Sequence, residues 1–143
     1  MSKSVKRIVC LLMSLLLLVP MNIVASAATT EKSTVQPRWT YTNYTSSALT
    51  ITTSGKAYCT SDVQGYDNVT KIHIKTTLQK YTVLWWSKVE VWEGTFYETY
   101  GTISETTTVG SGRYRVKSEF TVYSGSNSEE ITLLSQEKTV TIS

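Results

Sequence analysis

The most constraining stretch of the chain is Gly112–Tyr123, G-R-Y-R-V-K-S-E-F-T-V-Y. From Arg113 onward Tyr114, Val116, Ser118, Phe120 and Val122 alternate without a slip against Arg113, Arg115, Lys117, Glu119, Thr121 and Tyr123. Successive side chains of a strand point to opposite faces, so this periodicity predicts a long strand with one apolar and one charged face. An apolar face of that length has to be covered. The remaining strand patterns supply the cover.

The first residues, Met1–Arg7, carry three positive charges, and Ile8–Val19 is apolar except for Ser14. Ala25-Ser26-Ala27 then offers small residues where a signal peptidase reads. Residues 1–27 are thus expected to be a secretory signal peptide cleaved after Ala27. The apolar core is too short for a transmembrane helix, which needs roughly 20 residues, and no membrane span is expected in the mature chain. Cleavage removes Lys3, Lys6 and Arg7, which account for the whole formal charge of +3. Eleven basic and eleven acidic residues remain, so the mature chain is neutral and gives no footing for nucleic-acid binding. Cys59 is then the only cysteine, and packing rather than an internal disulfide must hold the domain.

Ser and Thr make up about a third of the mature chain, with many Tyr, Val and Ile, and no window carries a helical period. Residues 28–36 are polar and read as a flexible lead; residues 37–143 read as one domain. Leu49 and Ile51 alternate with threonines before a turn at Thr53–Lys56, where Gly55 supplies a positive φ. Ala57–Val63 returns, placing Cys59 inward, and Gly65–Asn68 forms the next turn. In Lys71–Lys80, Ile72, Ile74, Thr76 and Leu78 face one way and Lys71, His73, Lys75, Thr77 and Gln79 the other. Trp85–Trp92 has mixed parity, which requires either a bulge or an exposed tryptophan pair. Gly94 is expected to close that strand, Phe96–Thr108 to form another, and Glu130–Ile142 to supply one long or two short final strands. Seven to eight strands at this turn spacing predict an all-β fold, a single antiparallel β-sandwich. An immunoglobulin-like form is expected, because Tyr114 opens a late strand after a glycine turn, where such domains place a tyrosine that bonds back across the corner.

Several short motifs make the chain resemble a group of small secreted proteins of uncharacterised function from Gram-positive Firmicutes. They are Pro37-Arg38-Trp39, Leu49-Thr-Ile51, Gly55-Lys-Ala57-x-Cys59, Gly65-Tyr66, Lys71-Ile72 and Leu78-Gln79-Lys80. The Trp86, Val89, Trp92 spacing, Gly112-x-Tyr114-Arg-Val116 and Ser128-Glu129 complete the set. The apolar connection Tyr81–Trp86 departs from the polar loop expected there. The resemblance implies secretion and a small β domain, and brings no catalytic residues.

Nucleophilic catalysis needs a nucleophile, a base and an orienting group held together. Cys59 and His73 are the only Cys–His candidates, and parity sends them to opposite faces. No CxxC, HExxH, calcium-loop, P-loop or dinucleotide motif is present, and Glu90, Glu93, Glu98 and Glu105 form no evident carboxylate pair. No catalytic residue, metal or cofactor is therefore expected. Two surface features point to binding. Lys71, His73 and Lys75, with Arg113, Arg115 and Lys117, would form a basic patch if their strands adjoin, suited to an anionic cell-wall polymer such as a teichoic acid. Trp85 and Trp86 would offer a flat ring to a glycan if exposed, although core packing accounts for many of the aromatics. The chain is accordingly expected to be a secreted non-enzymatic binding module, extracellular or associated with the cell envelope. The alternative is a small secreted effector, a bacteriocin-like toxin or hydrolase inhibitor. The ligand, the oligomeric state and the fate of Cys59 stay open at this level.

Overall fold

A computed structural model describes residues 38–143. The expected signal peptide and lead, residues 1–36, and Pro37 lie outside the described residues. Eight strands follow in order: β1 Thr42–Ile51, β2 Lys56–Gly65, β3 Lys71–Tyr81, β4 Trp86–Phe96, β5 Tyr100–Thr108, β6 Gly112–Ser124, β7 Asn127–Leu134 and β8 Lys138–Val140. All the pairings are antiparallel. One sheet has the order β1-β2-β5, and the other β4-β3-β6-β7, with β8 beside the start of β6. The two sheets pack face to face as a β-sandwich, with side chains from both in each core cluster.

The strand from Gly112 is the centre of the larger sheet. It pairs along its length with β3 and on its other edge with β7 and then β8. Tyr114, Val116, Ser118, Phe120 and Val122 are all buried, as the alternation predicts. Between β7 and β8 the ladder is interrupted, and Ser135 takes over. Its N–H donates to the Val116 carbonyl (2.9 Å), and its Oγ accepts from the Val116 N–H (2.9 Å). Both backbone groups of Val116 are thereby paired at the break. Where the chain leads into β1, Glu129 of β7 accepts from the Thr40 and Tyr41 N–H groups (2.6 and 3.1 Å) and the Thr42 hydroxyl (3.0 Å). The Tyr114 hydroxyl donates to the Gly110 carbonyl, 3.0 Å away, closing the corner before β6.

The core is not continuously apolar. Ser47, Ser61, Thr76 and Ser118, one from each of β1, β2, β3 and β6, point into the space between the sheets. Their hydroxyls form a chain: Ser61 to Ser118 at 2.6 Å, Thr76 to Ser61 at 2.7 Å and Ser118 to Ser47 at 2.7 Å. Each of the four hydroxyl oxygens has at least one partner, which offsets the cost of burying them. On one side of this layer lie Leu49, Ala57, Cys59, Leu78, Val109, Tyr114, Val116 and Val140. On the other lie Val63, Val69, Ile72, Ile74, Ile103, Phe120, Val122 and Ile131, and Trp92 packs against both.

The expected turn glycines fare differently. Gly55 takes φ +82° in the β1–β2 turn, as predicted. Gly94, expected to end a strand, lies inside β4, and the strand expected over Phe96–Thr108 is divided by a turn at Tyr97–Thr99. The cause is packing. A Cβ at Gly94 would meet the Phe96 ring at 3.2 Å, and one at Gly101 would meet the same ring at 2.8 Å. These glycines make room for Phe96 rather than turning the chain.

Candidate functional site

The outer face of the larger sheet carries all the cationic candidates. Because β3 and β6 are adjacent and antiparallel, their outward residues are interleaved in one surface. Lys71, His73 and Lys75 stand opposite Tyr123, Thr121 and Glu119, whereas Lys117 and Arg115 stand opposite Thr77 and Gln79. The two basic triplets are thus displaced along the strands. Lys71 and Arg113 lie ten residues apart in register, roughly 33 Å at the usual strand rise.

Acidic neighbours lie beside most of these side chains. Glu93 of β4 reaches His73 Nε2 (3.9 Å) and Lys75 Nζ (3.6 Å), Glu119 takes Lys117 (2.9 Å), and Glu137 takes Arg113. Such exposed pairs contribute little to stability, about 0–1 kcal/mol each, but they cancel the local field. His73 Nδ1 is also 3.0 Å from the Thr95 hydroxyl, and Lys71 stacks over Tyr123 at 3.9 Å. A shallow depression of about 210 Å³ lies among His73, Lys75, Glu119, Thr121, Glu130 and Thr132. It is smaller than the roughly 300–1,000 Å³ of small-molecule sites and lined by both signs of charge. The six residues do not form one anion cradle.

Arg113 and Arg115 do something else. Arg115 donates to the Gln79 side chain (2.8 Å) and lies over the Trp86 ring at 4.1 Å. Arg113 lies over Tyr81 at 4.9 Å, and Tyr81 and Trp86 pack with centroids 5.3 Å apart. The mixed parity of the tryptophans has its cause in β4. A register shift between Leu78 and Gln79, facing Glu90 and Lys88, leaves Val89 as the extra residue of a bulge. Trp92 pairs with Thr76 on the inner face, and Trp86 pairs with Tyr81 on the outer face under the guanidinium groups. Trp86 is therefore half-covered. Trp85 belongs to no strand; it sits in the β3–β4 turn.

That turn is the feature the residue patterns signal only as an apolar connection. Val83, Leu84 and Trp85 are 81%, 77% and 61% exposed, three large apolar side chains in succession. Val83 has φ +70°, a conformation that a β-branched residue adopts only when its surroundings impose it. What imposes it is a set of local bonds. Thr82 N–H and Oγ1 both donate to the Trp85 carbonyl (2.9 and 3.0 Å), Leu84 N–H donates to the Thr82 carbonyl (2.8 Å), and the Tyr81 hydroxyl donates to the Val83 carbonyl (2.7 Å). The Trp85 indole N–H donates to Ser87 Oγ at 3.0 Å. The tip is pre-shaped with its apolar side chains outward. Alanine at Trp85 should leave stability within about 0.5 kcal/mol, whereas alanine at Trp86 should cost about 1–2 kcal/mol by removing the Arg115 and Tyr81 stacking. Urea unfolding of both variants checks this; equal losses would mean that the cation–aromatic cluster contributes nothing.

The charges are segregated along the sandwich although they sum to zero. Among the described residues, the half around the Cys59 core holds Lys56, Lys80, Lys88, Arg113, Arg115 and Lys138 against Glu90, Glu105 and Glu137. The other half, with Lys117 counted beside its partner Glu119, holds four cations and seven carboxylates. One half is thus net +3 and the other net −3, and the exposed tip projects from the positive half.

The Cys–His pairing considered above is not assembled. Cys59 is fully buried on the inner face, and burial, with a smaller contribution from Glu90, pushes its thiol from 9.0 up to about 12. His73 lies on the outer face of the other sheet. Among the described residues no group of three or more His, Cys, Asp or Glu is placed to hold a metal ion, and no helix is long and apolar enough to cross a membrane. No protein-family model matches the chain, and no curated protein matches it.

Proposed function

We propose that the chain is a secreted, non-enzymatic sandwich of immunoglobulin-like build that binds a component of the cell envelope through its β3–β4 pole. The immunoglobulin-like reading is supported by the strand order β1-β2-β5 over β4-β3-β6-β7 and by the corner bond from Tyr114 to Gly110. One observation carries the binding role: Val83, Leu84 and Trp85 stand in water on a turn whose own hydrogen bonds hold it in a strained shape. Exposed apolar groups cost solubility, and strain is retained where it is used. The cations of the two triplets act mainly in pairs with Glu93, Glu119 and Glu137, so the basic stripe offers a ligand less free charge than its sequence suggests.

The test is retention of the purified protein on isolated Gram-positive envelopes, compared with a Val83→Ser, Leu84→Ser, Trp85→Ser variant. The protein is expected to sediment with the envelopes and the variant to stay in the supernatant, with an unchanged melting temperature. A protein that stays soluble in the presence of every envelope fraction refutes the reading.

A further inference from the structure

We infer that the β3–β4 tip and the cations around it form a docking surface for an anionic phospholipid bilayer, with Val83, Leu84 and Trp85 entering the headgroup–acyl boundary. This rests on the envelope-binding reading and names the chemistry that the pole recognises. Three independent features converge on a lipid surface rather than on a soluble polymer or a protein groove.

The first is how the tip satisfies its polar groups. The carbonyls of Thr82, Val83 and Trp85, the N–H groups of Thr82 and Leu84, the Thr82 hydroxyl and the Trp85 indole N–H all have partners within residues 81–87. A medium without water penalises every unsatisfied backbone group, and this turn has closed most of its own. A sugar site is built the opposite way, with free donors and acceptors converging beside the ring. The second is the side chains themselves. Valine and leucine at the extremity gain from an apolar phase, and tryptophan favours the level of the headgroups, with its apolar ring below and its N–H above.

The third is the charge around them. Lys80, Lys88 and Arg115 flank the tip, none of them in an ion pair among the described residues, and they belong to the net-positive half of a neutral domain. Lys88 and Lys138 are exposed. A neutral protein with separated poles is turned by an anionic surface so that its positive end leads, and here that end carries the apolar residues. A polyanionic wall polymer would use the cations but leave Val83 and Leu84 in water. Two signals acting together, an apolar insertion and a basic rim, are what reversible membrane docking requires.

The experiment is co-sedimentation of the purified protein with vesicles of phosphatidylglycerol and phosphatidylcholine, and with phosphatidylcholine alone, beside the envelope assay. Binding to the anionic vesicles is expected, with a blue shift of tryptophan emission that Trp85→Phe removes. Val83→Ser, Leu84→Ser should weaken binding about tenfold or more, and so should Lys88→Glu, Lys138→Glu, each with the circular dichroism of the parent. Because a double change in the turn could perturb it, Leu84→Ser alone serves as the milder variant and should show the same direction. Binding to envelopes without binding to vesicles overturns the lipid inference while leaving the binding role standing. Vesicle binding that the tip variants do not weaken also overturns it, since that would be ionic adsorption. Loss of both kinds of binding in the parent protein refutes the proposed function itself.

Discussion

Phe120→Ala is expected to destabilise the domain by about 3–5 kcal/mol, a large share of the roughly 5–15 kcal/mol that holds a domain of this kind together. Phe120 is the largest of the fully buried side chains, 1% exposed, and it sits in the central strand of the larger sheet. Its backbone is held on both edges, by Ile74 of β3 and Ile131 of β7, and Val63 and Ile103 face it from the other sheet. A cavity left there cannot close by letting β6 sink, because the same strand is packed at Val116 and Val122 and bonded through Ser118 in the hydroxyl layer. Urea unfolding should show a lower midpoint with an unchanged slope. Thr121→Ala, one residue away on the outer face, should stay within about 0.5 kcal/mol. If Phe120→Ala cost under about 1 kcal/mol, the two sheets would not be sharing a tightly packed core at this point.

The contrast between Phe120 and Thr121 is also where the residue pattern reads best. Alternation in β6, and in β3 apart from Thr77, which is buried although it lies on the outer face, specifies which side chains are inside, because one face of each strand is covered by the other sheet. The same alternation places Ser61, Thr76 and Ser118 inward; that they find one another across the sandwich is a tertiary fact with no local signal. The edges read less well. Gly94 looks like a turn residue until Phe96 is seen to fill the space above it, and the bulge at Val89 puts Trp86 and Trp92, which parity would place on one face, on opposite faces. For the candidate site, the cations of β3 and β6 are visible as residues, but their partners Glu93 and Glu137 come from β4 and from the β7–β8 connection. Strand register, not sequence spacing, decides which charges cancel. The apolar run Tyr81–Trp86 is the one readable trace of the tip, and nothing in the run itself says whether it lies inside the core or in water.

Raising the pH above 9 should destabilise the protein through Cys59, by about 1.4 kcal/mol per pH unit while only the unfolded chain can release the thiol proton. The native thiol is pushed from 9.0 up to about 12, first by burial among Leu49, Leu78 and Val116 and second by the charge on Glu90. Between these two values the folded protein binds one more proton than the unfolded chain, so unfolding is favoured as protons become scarce. Below pH 9 both states keep the proton and the term vanishes. Lysines and tyrosines titrate in the same range, so the measurement is a difference: urea unfolding of the parent and of Cys59→Ala at pH 8, 9, 10 and 11. The variant loses some packing at every pH, a constant offset, and its stability should fall less steeply, so the gap between the two narrows as pH rises. Parallel curves would mean that the thiol ionises in place and is not sealed from solvent. The same burial governs reactivity, because the thiolate and not the thiol attacks disulfides and acyl groups. Labelling of Cys59 by a thiol reagent at neutral pH should therefore proceed only as fast as the sandwich opens, and denaturant should accelerate it in step with unfolding. A cysteine that reacts only through unfolding contributes to this domain through its packing.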